Sequence, residues 1–283
     1  MSKTKLKWNQ RPETQYVNQL DNIKVTILNA PTMEQIYSYI PEFVMATWED
    51  VPGQSEFSKE ETEEIVDLMF NGKTLPTAME TIRITFRVDG LDLIDVTHLI
   101  RHRVFSFSAQ CTGDRDMRLD SCMVKPSILD SEFISRYMQI VDDTKELYSD
   151  MVDSKDISIF DARTILPRSL SSFYYVSGNI KDIIGFIRTR KDEAIQPESD
   201  NVFAIRLYQE LVKLYPMLDG IVKFGDRDVF WCKTAAAGHS TLCYEPKENN
   251  KFVGWENLDY IYNKTRDDFP GENTYSTILK EVL

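Results

Sequence analysis

The 283-residue chain is 42% hydrophobic and 11% aromatic, enough apolar material for one large core or for a core with an appendage. Its 45 acidic and 33 basic residues leave a net charge of −12, a sign that opposes the many phosphate contacts of non-specific nucleic-acid binding. No window approaches the roughly eighteen consecutive apolar residues of a membrane span, and Met1 to Gln10 lacks the apolar centre of a secretion signal, so a soluble cytoplasmic protein with neither nucleic acid nor membrane as partner is expected.

From Asn22 to Asn29 apolar Ile23, Val25 and Ile27 alternate with Lys24 and Thr26, the period of a half-buried strand. Pro31 opens a helix whose apolar positions are Met33, Ile36, Tyr37, Ile40, Phe43 and Val44, and Pro41 is expected to kink or divide it. Ser58 and Glu61 form a capping box for a helix carrying Ile65, Leu68 and Met69, which Asn71-Gly72 ends. Glu80 to Asp89 alternates again, with Ile82, Ile84, Phe86 and Val88 on one face, and Gly90 is expected to break it.

Asp92 to Arg103 has an acidic start and an apolar face of Leu93, Val96, Leu99 and Ile100. It reads as a helix delivering Arg101-His102-Arg103 at its C-terminal end, where the helix dipole favours positive charge. A loop runs to about Asp130, and a long helix then carries Phe133, Ile134, Tyr137, Ile140, Val141 and Leu147. Further helical patterns start at Asp161 and Ile180 and run from Glu198 to Tyr215. Beyond Asp226 the pattern weakens, so residues 1–225 are read as one domain and 226–283 as an appendage. Neither a repeat nor a Gly/Ser/Pro linker divides the chain. Strands among many helices point to a mixed α/β (α+β) fold.

The basic triplet carries most of the chemical information. Three potentially cationic side chains in sequence repel one another and cost desolvation, unless an anion or a flat electron-rich ring offsets that cost. Seven residues after Arg103 stands Cys111, followed by a Gly/Asp/Arg cluster. Arg163, with Leu166-Pro167 behind it, and the run from Asn179 through Phe186, Arg188 and Arg190 to Gln196 and Glu198 supply further guanidiniums.

These three runs resemble the flavin-dependent thymidylate synthase family, ThyX, over roughly residues 22 to 225. The family signature is Arg-His-Arg, seven residues, then Ser; it stands here as Arg101-His102-Arg103, Val104 to Gln110, then Cys111. Glu80 at the head of the strand, Ala162-Arg163 with Leu166-Pro167, and the series Asn179, Ile183, Phe186, Arg190, Gln196, Glu198 match in the family's order. The resemblance implies a homotetramer of mixed α/β subunits, each a central sheet flanked by helices with a long helical layer, with FAD at subunit junctions, a pyrimidine nucleoside monophosphate stacked on it, NADPH as reductant and methylenetetrahydrofolate as carbon donor. It places Arg101, His102, Arg103, Ser106, Asn179 and Arg188 on the cofactor. His98, Gln110, Cys111, Arg115, Arg163 and Arg190 fall on the substrate, with Arg190, Cys111 and His102 as the catalytic group.

The chain departs from the family pattern in three places. Lys73-Thr74-Leu75-Pro76 replaces the usual upstream His, Thr97-His98 replaces an Arg-Gln pair, and the loop Cys111 to Asp116 is longer and more acidic. The default reaction is dUMP to dTMP. Action on UMP or dCMP, formation of a 5-hydroxymethyl product, and a catalytically inactive flavin- or nucleotide-binding homologue are the alternatives these departures keep open. Cys111 itself has two readings: a thiolate, favoured among arginines, that adds to C6 of the pyrimidine, or a passive replacement for Ser that contacts the nucleotide.

Plainer readings stand beside these. The triplet suits a surface helix end salt-bridged to acids, Arg163 suits a pair with Asp161, and Arg188 and Arg190 suit solvated positions. His239 between Cys232 and Cys243 lacks a fourth ligand for zinc, so no metal is expected and the four cysteines read as free thiols. Phe173-Tyr174-Tyr175 reads as core or interface.

Overall fold

The computed structural model describes residues 11–46, 53, 56–71, 73–109, 112, 115–191, 198–219, 221–222, 229–231 and 242–244. It divides into two units, one of Met1–Thr32 with Glu80–Asp182 and one of Met33–Met79 with Ile183–Leu283.

A short strand β1 (Tyr16–Asn18) leads into a single helical turn α1 (Gln19–Asn22), capped by the Asn18 side chain, which accepts from the Leu20 N–H at 3.1 Å. β2 (Lys24–Asn29) therefore starts after Asn22, which the turn has claimed. α2 (Met33–Met45) buries Ile36, Ile40, Pro41 and Val44 and runs unbroken across Pro41. The expected division does not occur. Burial of this apolar face outweighs the one main-chain bond that the proline ring removes.

α3 (Lys59–Phe70) begins with the capping box its sequence specifies. Ser58 Oγ accepts from the Glu61 N–H at 3.2 Å, Glu61 Oε2 accepts from the Ser58 N–H at 2.8 Å, and Asn71 caps the other end. Glu80 belongs to a short helix, α4 (Thr77–Thr81), so β3 (Arg83–Asp92) starts later than the alternation alone indicated. Gly90 does not end that strand. It sits at φ +82 in a bulge where the register slips between Asp89 and Leu91, and a Cβ there would lie 2.2 Å from the Asn22 carbonyl oxygen.

Asp92 caps α5 (Leu93–Leu99) with a second capping box, paired with Asp95. The helix stops short of the basic triplet, which lies in turns beyond it rather than in its last turn. The region read as loop to about Asp130 holds β4 (Ser106–Ala109), β5 (Cys122–Val124) and α6 (Pro126–Leu129). Elements of three or four residues are too short to show a period. The predicted long helix is α7 (Ile134–Ser154), closed by Lys155 in the left-handed region at φ 64.

α8 (Ile159–Ala162), capped by Ser158, passes into a 3-10 turn over Arg163–Ile165. The pattern from Asp161 is thus only the end of a short helix. β6 (Ser171–Asn179) contains Phe173-Tyr174-Tyr175 and was not legible as a strand. α9 (Ile180–Arg190) and α10 (Glu198–Leu214) follow as predicted, then a 3-10 turn at Pro216–Leu218. Within the stretch read as an appendage, β7 (Val229–Trp231) and β8 (Leu242–Tyr244) pair antiparallel.

In the first unit β2, β3, β6 and β4 form an antiparallel sheet in the order β2-β3-β6-β4. β1 and β5 pair separately, in parallel. The main sheet buries Val25, Ile84, Phe86, Val88, Tyr174 and Val176 on one face. Its other face carries the row Thr26, Arg87, Tyr175, Ser108 and, one step along, Thr85, Ser177, Ser106. α7 closes the same unit through two clusters: Tyr148 with Met117, Ala162 and Leu170, and Val141 with Cys122 and Val124. The second unit is mainly helical. It buries Val66, Met69 and Phe70 of α3, with Phe70 stacked on Tyr215 at 6.0 Å, and packs Phe186 of α9 on Phe203 of α10 at 5.4 Å. The mixed α/β class is borne out. No helix among the described residues is long and apolar enough to cross a membrane.

Candidate active site

The basic triplet is set by two successive turns. The Arg101 N–H donates to the His98 carbonyl at 3.3 Å, the His102 N–H to the Leu99 carbonyl at 3.1 Å, and the Phe105 N–H to the His102 carbonyl at 3.1 Å. The chain then enters β4 at Ser106, which lies opposite Ser177 of β6. Phe105 is buried and stacks against the half-buried His102 ring at 6.0 Å, so the imidazole is oriented by the core. Arg101 and Arg103 are exposed, and neither pairs with a carboxylate among the described residues. Among the described residues no salt-bridged helix end forms there. In a chain of net charge −12, two neighbouring guanidiniums with no acidic partner among the described residues complement an anion. His98, in the last turn of α5, is half-buried.

Arg163 sits at the junction of α8 and the 3-10 turn. Its Nε donates to the Phe160 carbonyl at 3.2 Å, its Nη1 to Thr112 Oγ1 at 3.1 Å, and its Cζ lies 5.4 Å from the Phe160 ring centre. It pairs with Thr112, not with the neighbouring Asp161. This contact brings together two runs that are 51 residues apart in sequence, the loop after the triplet and the Arg163 segment. Gln110 and Cys111, which precede Thr112 in the sequence, lie outside the described residues.

Arg115 forms an ion pair with Asp120, Nη1 to Oδ1 at 2.5 Å. Asp120 is held in turn at both ends of its backbone: its N–H donates to the Met117 carbonyl at 3.1 Å, and its carbonyl accepts from Lys145 Nζ of α7 at 2.9 Å. Burial pushes the Asp120 carboxyl up, against the pull of Arg115 and Lys145, and burial pushes the Lys145 ammonium down. The turn is bolted to α7 by two further contacts. The Met117 N–H donates to the fully buried Tyr148 hydroxyl at 3.2 Å, and Arg118 pairs with Asp116 at 2.5 Å and with Asp153 at 3.3 Å.

The third run has more structural employment than its sequence indicated. Asn179 caps α9: its Oδ1 accepts from the Asp182 N–H at 2.9 Å and its Nδ2 donates to the Asp182 carboxylate at 2.7 Å. In the second unit Arg190 pairs with Asp200 at 2.9 Å, with side chains only 11% and 5% exposed, and lies 5.9 Å from the Phe186 ring centre. Exposed Arg188 donates to the Ile221 carbonyl at 3.4 Å. Gln196 lies outside the described residues. Asp120, Thr112, Lys145 and Tyr148 are contributors that sequence reasoning missed. The only trace of Asp120 is its membership of an acidic loop, and pattern alone does not say which acid meets which arginine.

Among the described residues no cluster of three or more His, Cys, Asp or Glu is placed to hold a metal ion. Cys122 is a buried free thiol. Cys232 and His239 lie outside the described residues.

A mixed α/β fold presents Arg101 and Arg103 exposed, with no carboxylate partner among the described residues, and a further arginine tethered to the loop that follows, an arrangement whose charge complements anions. Comparison with known proteins makes the class specific. The Thy1 family, thymidylate synthase complementing protein, matches residues 29–217, and the chain belongs to that family. Similar curated proteins are the flavin-dependent thymidylate synthases of Pyrococcus furiosus, 25% identical over 142 residues, and Pyrococcus abyssi, 26% identical over 140. Each alignment takes in 48% of this chain and 57% of the relative, so the chain spans little more than half the length of these relatives. Among solved structures, the UMP/dUMP methylase PolB from Streptomyces cacaoi, bound with 5-Br dUMP, superposes with a TM-score of 0.57. That match covers 73% of this chain and 95% of the other at 17% identity, a likeness of fold.

Proposed function

We propose that the chain is a flavin-dependent transferase that moves a one-carbon unit from methylenetetrahydrofolate to C5 of a pyrimidine nucleoside monophosphate, with dUMP to dTMP as the default reaction. The observation that carries this reading is the pair of exposed guanidiniums, Arg101 and Arg103, held in a tight turn without an acidic partner among the described residues. Family membership and the flavin-dependent relatives support it.

The residues present fit a flavin nucleotide. Arg101 and Arg103 offer charge-assisted donors to its pyrophosphate, Ser106 adds a hydroxyl at the head of β4, and the core-braced His102 supplies an oriented ring beside them. A bound flavin supplies the redox chemistry, with NADPH as its reductant. On the nucleotide side Arg163 is pre-aimed by Phe160 and Thr112, so little side-chain entropy remains to be lost when a phosphate arrives. Arg115, Gln110, Cys111 and His98 complete that side. The catalytic domain is taken as residues 1–225, with 226–283 as an appendage, acting in a homotetramer in the cytoplasm.

Use of UMP is the second reading. It is favoured by the altered loop at Thr112 to Asp116 and by the fold shared with a UMP/dUMP methylase. One experiment tests both. The protein is incubated with FAD, NADPH, methylenetetrahydrofolate and dUMP, UMP or dCMP, and the products are weighed. A gain of one methyl on dUMP is expected. A hydroxymethyl gain, or a gain confined to UMP or dCMP, moves the assignment to that product. No gain on any nucleotide, with no binding of added FAD, overturns the enzyme reading.

A further inference from the structure

Arg115 is tethered through one nitrogen only. Nη1 meets Asp120, while Nε and Nη2 are buried and have no hydrogen-bond partner among the described residues; Oδ2 of Asp120 is likewise buried and unpartnered. The side chains of the pair are 25% and 12% exposed. Nε–H and Nη2–H point along the same edge of the guanidinium plane, the edge that grips carboxylate or phosphate with two parallel bonds. Buried charged donors left unpaired are costly, and an anion meeting this edge offsets that cost.

What fixes the edge is Asp120. Arg115 lies in irregular chain, and among the described residues its head group is held by that carboxylate alone. Asp120 in turn is locked by the Met117 carbonyl and by Lys145, and its turn is bolted to α7 through Tyr148. We propose that Asp120 is a positioning residue, which holds Arg115 by Nη1 so that the Nε/Nη2 edge faces the phosphate of the nucleotide. The effect runs through an acceptor atom rather than through negative charge, because a second anion close to the phosphate opposes binding by Coulomb repulsion while an oriented acceptor does not.

This inference rests on the nucleotide reading of the site, and the test separates the two. Binding of dUMP and of 2′-deoxyuridine to the full chain is measured by calorimetry for the natural protein, Asp120→Ala and Asp120→Asn, with thermal melting as a check on folding. Asp120→Ala is expected to weaken dUMP by about tenfold or more and to leave 2′-deoxyuridine within about twofold. Asp120→Asn, which keeps an oxygen for Nη1, is expected to restore dUMP affinity to within about threefold of the natural protein or to exceed it. Unchanged dUMP affinity in Asp120→Ala, equal losses for dUMP and 2′-deoxyuridine, or failure of Asn to rescue would each overturn the proposal. If the natural protein binds neither dUMP nor UMP, the nucleotide reading falls first and this inference with it.

Discussion

Arg103 and Arg101 owe their value to what surrounds them: they are exposed side chains on a backbone that three turn bonds hold still. Replacing Arg103 with Ala removes one fork and leaves the turn intact. FAD affinity is expected to fall about ten- to a hundredfold, read from the quenching of flavin fluorescence in a titration, and melting is expected to shift little because exposed arginines contribute little to stability. Cys111 permits a sharper decision. If its thiolate adds to C6, Cys111→Ser abolishes product formation; if it only touches the nucleotide, the variant keeps turnover to within about tenfold. The expected result is the second, since the residue stands where the family signature has Ser.

The elements show where local pattern suffices. The capping box at Ser58/Glu61, α7, α9 and α10 were set by residues within a turn or two of one another, and they formed as read or nearly so. β6 was illegible for the opposite reason. Its sequence Ser-Ser-Phe-Tyr-Tyr-Val-Ser-Gly-Asn alternates poorly in hydrophobicity, and its place in the sheet comes from pairing with β3 on one side and β4 on the other. Gly90 was legible as special but not as a bulge, because the constraint is the Asn22 carbonyl across the sheet. Gly90→Ala places a Cβ 2.2 Å from that oxygen at a φ of +82, so a loss of more than about 2 kcal/mol is expected by denaturant unfolding. A variant as stable as the natural protein would show that the bulge relaxes.

For the molecule as a folding unit, the buried group at the start of α5 governs part of the pH response. Asp92 and Asp95 are almost wholly buried, Lys125 reaches both at 3.4 and 3.1 Å, and Gln19 donates to Asp95. Burial, reinforced by Asp95, pushes the Asp92 carboxyl up despite Lys125. The folded state therefore holds the Asp92 proton more tightly than the unfolded chain does. The stability this provides is complete below the unfolded value of about 4 and is lost as pH rises through the folded value. Asp92→Asn keeps the helix cap and removes the titration. Relative to the natural protein it is expected to gain stability between pH 4 and neutrality, measured as urea midpoints across that range, and a constant difference between the two proteins would refute the linkage.

The amino-acid sequence alone determined the mixed α/β class, the principal helices, and the identities and spacing of the Arg101-His102-Arg103, Arg163 and Asn179–Arg190 runs, because helix period and capping are local and a motif is carried by covalent order. Tertiary structure decided which guanidiniums remain unpaired. Arg163 is given to Thr112, Arg115 to Asp120 and Arg190 to Asp200, while Arg101 and Arg103 meet no carboxylate among the described residues. Those outcomes depend on which of 45 acidic side chains the packed backbone brings within a few ångströms, a distance that charge content cannot specify and that only the folded chain sets.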